Sequence, residues 1–497
     1  MTTNEMTFTY QTRIFLSPEQ AEILQEYAAL LSQVERCLYA QVAKGLSSAS
    51  CKNAFLKRFN ITARQFNACR VSLEGKIAAC QASQERAIKA LFQQIEKLAK
   101  QIKLLEKKPS KSFALHQKKR RYHRLNLRLN ALQTDKKNKK VRLCFGGKKL
   151  FKAQYFLNQN KLTSHAEWQK QWQAQRNSEF FLLGSKDETS GNQTCTAYLQ
   201  PNSQLGLRLR LPKSIEAKQG KYLHLPNLHF TYGQTALIAA LNEPGGQAIS
   251  YRFKKDSKSW RVFVSTSLKK APFLSVETNG MIGIDLNADH IAYVETDRFG
   301  NPIASKKIAW VTYGKSKEKL KALTGEVCKQ LVEYAKKTKK PLVIEKLDFQ
   351  KKKLSSQTTK QARLLSSLAY GGFFSFLKSR AYKQGIAVHQ VNPAYTSVIG
   401  RVKFAKRYGL SIHLAAALCI ARRYQKFSEA PRSPKGVIPD GKGSFVAFVL
   451  PVRNRTKHVW HFWGQVKKKI TTVLAGHYQA ILYRSLNPIP ILEITCS

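Results

Sequence analysis

The chain has 497 residues, with 85 Lys and Arg against 30 Asp and Glu and a formal net charge of +55 at pH 7. Its apolar and aromatic fractions, 43% and 10%, are ordinary for a globular protein, so the excess charge is a surface property of a folded chain whose expected partner is a polyanion. No apolar run reaches the roughly 18 residues of a spanning helix, the first residues lack the regions of a signal peptide, and the nine cysteines are scattered without ligand spacing; this argues against a membrane protein, a secreted protein and a zinc site, and for a reducing cytoplasm.

In chain order, Phe8 to Leu16 alternates as a strand, and Ser17-Pro18-Glu19-Gln20 starts a helix, with Ser17 as N-cap and Gln20 completing a capping box. Helices continue through Ile61, Phe66 and Val71. Ile88, Leu91, Ile95, Leu98, Ile102 and Leu105 then keep three-four spacing up to a break at Pro109-Ser110, and the pattern resumes with Leu115, Tyr122, Leu125, Leu129 and Leu132. Two such segments around a short break predict an antiparallel coiled-coil hairpin. Lys107, Lys108, Lys118, Lys119, Arg120 and Arg121 lie on its outer faces, with Lys136, Lys137, Lys139 and Lys140 just beyond. A charge run is ordinarily a solvated face, but the scarcity of compensating acids here predicts an arm that binds a phosphate backbone.

From Val141 the periodicity shortens. Val141 to Phe145 and Phe180 to Leu183 read as strands, Leu205 to Leu211 alternates with Arg208 and Arg210 on its open face, and Ile249 to Phe253 forms a hairpin with Trp260 to Val264 that turns Arg252 and Arg261 outward. Together with the first strand these predict a small β-barrel-like domain interrupted by the helical insertion, the alternative being a sandwich with a polar face. Trp168 and Trp172, at i and i+4 of a short helix from Ser164 to Arg176, are expected to pack that helix onto the barrel rather than to stack on bases. The pairs Gly146-Gly147 and Gly245-Gly246 mark loops and carry no phosphate-loop pattern.

The stretch MIGIDLNADHIAYVETDRFGNP, Met281 to Pro302, reads as two strands joined by a turn, with Asp285 set among Met281, Ile282, Ile284 and Leu286. A carboxylate in a doubly buried strand has no inexpensive place for its charge. The apolar strand Pro341 to Glu345 repeats the oddity. Ile303 to Ile308 reads as a strand, Lys315 to Lys337 and Gln361 to Gln384 as helices, Ile386 to Val391 as a strand, and a helix follows Ser411. The order β-β-β-α-β-α-β is that of the RNase H-like fold, in which the first and fourth strands lie side by side and would bring Asp285 and Glu345 together. Asp289 and Asp348, near the motifs, are candidates to substitute as ligands; in the bland reading they are turn or surface carboxylates, Asp285 caps a turn, Glu345 pairs with Lys346 or an arginine, and His413 is a packed histidine at a helix start.

The stretches GIDLNADHIAYVETDRFGN, LVIEKLDFQKKK, and NPAYTSVIG followed by HLAAALCIARR resemble the RuvC-like nuclease domain of the TnpB family, transposon-encoded RNA-guided DNA endonucleases related to type V CRISPR effectors. Two features depart from that family. No paired Cys-x-x-Cys ribbon occurs around Val398-Ile399-Gly400, and where the family's last motif has an Asp two residues before Asn-Ala-Ala, this chain has His413 before Ala415-Ala416-Ala417. The resemblance implies Mg²⁺ held by Asp285 and Glu345, with His413 as third ligand or proton carrier, and the imidazole makes Mn²⁺ a substitute. It also implies a guide RNA from the transposon and a double-stranded DNA target. These would be met by Lys118, Lys119, Arg120, Arg121, Arg208, Arg210, Arg252, Lys351, Lys352, Lys353, Arg401 and Lys403, with no membrane and no small-molecule substrate.

The expected architecture is α+β and multidomain. It comprises the first strand of a β-barrel-like wedge domain (1–17), an inserted helical recognition domain with the coiled coil (18–140), the rest of the wedge (141–275), an RNase H-like (RuvC) α/β nuclease domain (278–425) and an unassigned C-terminal extension (426–497), in a cytoplasmic, nucleoid-associated protein. Ser428 to Gly443 reads as loose chain, Phe445 to Val452 as a strand, and His458, Trp460, His461 and Trp463 do not make a zinc site because no Cys or carboxylate completes the set. Two alternatives remain: a guided DNA-binding protein whose cleavage is weak or lost, and an unguided basic RNA-binding protein.

Overall fold

A computed structural model of the chain describes residues 5–107, 113–201, 204–244, 246–257, 259–346, 367–431, 433–441 and 443–486, without the side chains of 367–370 and 480–486. Lys108, Asp348 and Lys351, Lys352 and Lys353 lie outside the described residues. The chain divides into two units, Met1–Lys269 and Lys270–Ser497.

In the first unit, β1 (Met6–Ile14) precedes α1 (Pro18–Ala43), α2 (Lys52–Phe59), α3 (Ala63–Glu106), α4 (Phe113–Lys137), α5 (Lys148–Ala153) and α6 (His165–Arg176). There follow β2 (Glu179–Leu182), β3 (Cys195–Leu199), β4 (Leu205–Arg210), α7 (Lys213–Gln219), β5 (Tyr222–Leu228), α8 (Gln234–Leu241), β6 (Ile249–Lys255) and β7 (Trp260–Leu268). The Ser17–Gln20 capping box forms at the head of α1 as expected. β1 pairs antiparallel with β7, from Met6 opposite Leu268 to Ile14 opposite Trp260, across the whole helical insertion.

The strands form a four-stranded sheet, β1-β7-β6-β2, and a separate three-stranded sheet, β3-β4-β5, where a barrel-like closure was expected. Helix α1 bridges the two sheets: its fully buried Tyr27 stacks on Phe180 of β2 at 4.6 Å and donates its hydroxyl hydrogen to the Arg210 carbonyl at the end of β4. Val141 to Phe145 is irregular chain rather than a strand, because its polar backbone groups are taken by a side chain: the Tyr39 hydroxyl donates to the Val141 carbonyl and accepts from the Leu143 N–H.

Helices α3 and α4 make the expected antiparallel hairpin, with Leu91 and Ile95 against Leu129. Ion pairs bracket it, Lys136 with Glu85 at one end and Lys119 with Glu106 at the other. Trp168 and Trp172 pack on α5 and its approach, not on a barrel: their indole N–H groups donate to the carbonyls of Leu150 and Phe145, at 2.7 and 3.0 Å.

In the second unit, β8 (Ile282–Leu286), β9 (His290–Thr296), β10 (Pro302–Ala309), α9 (Lys317–Thr338), β11 (Leu342–Glu345), α10 (Ser367–Lys383) and β12 (Val388–Val391) follow the order predicted from the sequence. Next come α11 (Thr396–Gly400) and α12 (Ile412–Tyr424), then β13 (Lys435–Pro439), β14 (Phe445–Val449) and α13 (Val459–Leu486). The five-stranded sheet runs β10-β9-β8-β11-β12, antiparallel through β8 and parallel from β8 to β12, so the first and fourth strands are neighbours as expected.

One face of this sheet (Ile282, Ile284, Leu342, Ile344) meets Val327 and Leu331 of α9 and Phe373 and Leu377 of α10. The other (Met281, Val343, Val391) meets Ile420 and Ala421 of α12. Beyond α12 a further core joins Leu418 and Ile399 to Ile438, Phe448 and Trp463, so the C-terminal extension shares the packing of the α/β unit. The stretch expected to be loose contains β13, paired with β14. Among the described residues no helix is long and apolar enough to cross a membrane.

Candidate functional site

Asp285 lies at the end of β8 and is 7% exposed. The last paired residues of β8 and β11 are Ile284 and Ile344, so Asp285 and Glu345 are the next residues on two strands about 4.8 Å apart. Strand side chains alternate, and Met281 and Val343 face α12; Asp285 and Glu345 therefore face it too. His413 stands in the first turn of that helix, which Ser411 caps by accepting the Leu414 N–H. Its Nδ1 lies 3.2 Å from Asp285 Oδ2, and the same oxygen accepts a hydrogen bond from Asn287 Nδ2 at 3.0 Å. The buried Thr396, at the start of α11, donates its hydroxyl hydrogen to Glu345 Oε1.

The β8–β9 turn adds residues that the strand pattern alone did not single out. The His290 ring stands edge-on to that of His413, with centroids 4.8 Å apart, and its Nδ1 meets Asp289 Oδ1 at 2.8 Å. Desolvation, the largest influence on the Asp289 carboxyl, pushes its pKa up, but the hydrogen bond and charge of His290, with a smaller contribution from His413, hold it below the ordinary carboxylate value. Asp289 is thus a turn carboxylate, as the bland reading had it, that also anchors an imidazole of the site. The signal available in the sequence was the run Asn287-Ala288-Asp289-His290 between two strands, polar residues crowded into the shortest possible turn.

The donor chemistry suits a divalent cation. Adjacent ligands of an octahedral ion with bonds of about 2.1 Å stand about 3 Å apart, close to the separation of Asp285 Oδ2 and His413 Nδ1. Asp285 and Glu345, with His413 beside Asp285, are the donors that would hold such an ion. Among the described residues no group of three or more His, Cys, Asp or Glu is already gathered for a metal.

Several basic residues expected to bind nucleic acid have partners within the protein. The Arg401 guanidinium donates to the Pro439 carbonyl and its pKa is lowered by burial, and Lys403 Nζ donates to the Ser428 carbonyl at 2.8 Å; both tie the segment after α11 to the C-terminal extension. Lys119 is paired with Glu106 and Lys118 donates to Gln101, both across the helical hairpin. Arg210 is only partly exposed at the end of β4. Arg120, Arg121, Arg208 and Arg252 remain exposed, Arg208 lying over the Tyr222 ring.

No protein-family model matches this chain, and no curated protein matches it. Among solved structures it is similar to T. thermophilus RuvC in complex with a Holliday junction substrate, at 16% identity over 28% of this chain and 88% of that one, with a TM-score of 0.21. It is also similar to a Cas12f1–sgRNA–target DNA complex, at 13% identity over 84% of this chain and 100% of that one (TM-score 0.26). A CRISPR-Cas12f ternary complex is similar at 13% identity over 84% and 98% (TM-score 0.21). Likeness at these scores carries no argument about chemistry, which rests on the residues described above.

Proposed function

We propose that the chain is an RNA-guided, RNase H-like DNA endonuclease of the TnpB type, cutting at a site made by Asp285, Glu345 and His413. One observation carries the reading: two carboxylates end adjacent parallel strands on one face of the sheet, and His413 from α12 reaches within 3.2 Å of the first. A divalent ion held by Asp285 and Glu345, with His413 as neighbour, would supply Lewis-acid polarisation of the phosphate and an activated water. The chain's own residues do the rest. Asn287 orients the Asp285 carboxylate, Thr396 orients Glu345, and His290 limits rotation of the His413 ring. The His413 side chain is 43% exposed, so its imidazole is open to solvent. The net charge of +55 and the exposed Arg120, Arg121, Arg208 and Arg252 suit an RNA guide and a duplex DNA target.

A second reading, a guided DNA-binding protein with weak or no cleavage, is favoured by a specific observation: His413, at the motif position where the resembled family carries an Asp, lies 3.2 Å from the Asp285 carboxylate. The experiment is cleavage and binding of a DNA library by protein expressed with its flanking transcript, in Mg²⁺ and in Mn²⁺, comparing wild type, Asp285→Ala and His413→Asp. Guide-matched cuts that vanish in Asp285→Ala, with guide binding retained, support the endonuclease. Guide-matched binding without cuts in the wild type, with cuts appearing in His413→Asp, moves the protein to the second reading. Salt-sensitive binding with no dependence on guide or sequence would overturn both in favour of an unguided RNA-binding protein.

A further inference from the structure

Around α5 the first unit exposes aromatic surface that its own core does not use. Ala153, Leu162 and Trp168 are buried together there, with Leu150, Leu157 and Trp172 packed around them. Phe151, Tyr155 and Phe156 stay outside, 37%, 67% and 55% exposed, within six consecutive residues. Single exposed apolar side chains are unremarkable, but three in succession on so short a stretch are not. They also continue a row of rings. Trp172 stacks on Trp168 at 4.8 Å, Phe151 lies 5.4 Å from Trp172, and Tyr155 stands edge-on to Phe151 at 6.5 Å.

The row is firmly held at its inner end. The two indole N–H groups are anchored on the carbonyls of Leu150 and Phe145, and the Arg176 guanidinium covers Trp172 at 4.3 Å. Beside it opens a cavity of about 350 Å³ whose polar lining includes Lys149, Asn160, Gln171 and Gln175. The electrostatics are one-sided. From Lys136 to Ala166 the sequence has nine Lys and Arg and no Asp or Glu, and Lys148, Lys149, Lys152 and Lys161 are exposed around the rings.

We propose that α5 and the turn after it are a stacking platform for the unpaired bases of a single-stranded nucleic acid, with Phe151, Tyr155 and Phe156 as the base-contacting rings and the surrounding lysines on the phosphates. Rings that accept any base face, interleaved with cations, are what single-strand recognition requires. A duplex keeps its base faces stacked inside and can offer the same surface only its phosphates. A second copy of this chain would bring the same run of lysines against itself, so self-association is the poorer match. The inference rests on the nucleic-acid reading of the chain but does not depend on cleavage at Asp285.

The test uses the full chain with Tyr155→Ala/Phe156→Ala, both positions being exposed and their removal leaving the buried cluster intact. Binding is measured by fluorescence anisotropy, at one fixed salt concentration, to a labelled 20-mer of thymidylate, to an abasic 20-mer with the same phosphates, and to a 20-base-pair duplex. The double variant should lose roughly 10- to 100-fold on thymidylate and less than twofold on the abasic strand and the duplex. Tyr155→Phe, which keeps the ring, should retain affinity. Equal losses on all three probes, or no loss on thymidylate, would overturn the platform. So would a wild-type dimer in sedimentation that the variant abolishes while thymidylate binding stays unchanged. Failure of wild type to bind any of the probes would instead overturn the nucleic-acid reading beneath it.

Discussion

Replacing Gly283 with alanine tests whether the site depends on how closely α12 approaches the sheet. Gly283 sits in β8 two residues before Asp285, and a Cβ added there would lie 2.1 Å from the Ala417 carbonyl oxygen, 2.8 Å from Ala421 N and 2.9 Å from Ala421 Cβ. Real Cβ atoms keep at least 3.0 Å, so helix and strand must separate by 3.0 − 2.1 = 0.9 Å. Ala417 follows His413 by one helical turn on the same face, and the displacement passes to the histidine. An Asp285–His413 separation of 3.2 Å then becomes about 4.1 Å, too long for a hydrogen bond.

Overpacking of this kind costs about 1–3 kcal/mol, and the lost hydrogen bond adds about 0.5 kcal/mol, the low end, because water can replace it at a partly exposed imidazole. Urea unfolding followed by circular dichroism should therefore show Gly283→Ala destabilised by about 2 kcal/mol. Adding Ala421→Gly should recover little, since it relieves the side-chain contact and leaves the carbonyl. A Gly283→Ala protein within 0.5 kcal/mol of wild type, or full recovery in the double variant, would refute the argument that a backbone contact sets the spacing.

Two further outcomes follow from groups away from the site. Lys340 and Glu295, 6% and 7% exposed, form a 2.6 Å ion pair that the Tyr334 hydroxyl also joins; Lys340→Met should cost about 3–5 kcal/mol in urea unfolding, and Lys340→Met/Glu295→Leu less than that, because the single change strands a buried carboxylate. Burial lowers the pKa of His389 below its ordinary 6.5, outweighing the Glu277 carboxylate 3.1 Å away that pulls it up. The unfolded chain then binds a proton more readily than the folded one just below pH 6.5, so this residue's contribution to stability is complete above that value and declines on acidification. The stability difference between wild type and His389→Gln should shrink between pH 7.5 and pH 5.5, and growth of that difference would show the sign to be wrong.

What could be read from the chain alone was whatever local pattern decides. The apolar runs around Asp285 and before Glu345 determine two buried strands, and once three hairpin-linked strands precede an alternating α/β segment, few sheet orders remain. The coiled-coil hairpin was equally legible because its spacing is regular. Properties that depend on a distant partner were not. Nothing near Val141 announces that the hydroxyl of Tyr39 will take its backbone groups, and nothing near Tyr27 announces that its ring will occupy the space between two sheets. A lysine count cannot show that Lys119 meets Glu106 or that Arg401 and Lys403 bond to carbonyls of the extension. The carboxylates of the candidate site were visible because they interrupt apolar strands; that Asp289 would pair with His290 was not, because a turn is where such residues are ordinarily found.

The pairing of β1 with β7 also bears on how the chain is made. The partner of Met6 is Leu268, so at 5–20 residues per second a ribosome takes about 13–50 s to supply the second strand after the first. During that interval β1 emerges with Phe8, Tyr10 and Ile14 lacking the sheet that later buries them, while the long helices of the insertion, whose contacts are nearer in sequence, can already assemble. Within its sheet, β1 is made before β2, β6 and β7 and is paired only when β7 arrives. A nascent chain therefore carries β1 as an unpaired apolar ribbon until β7 follows it, and slower translation lengthens that interval.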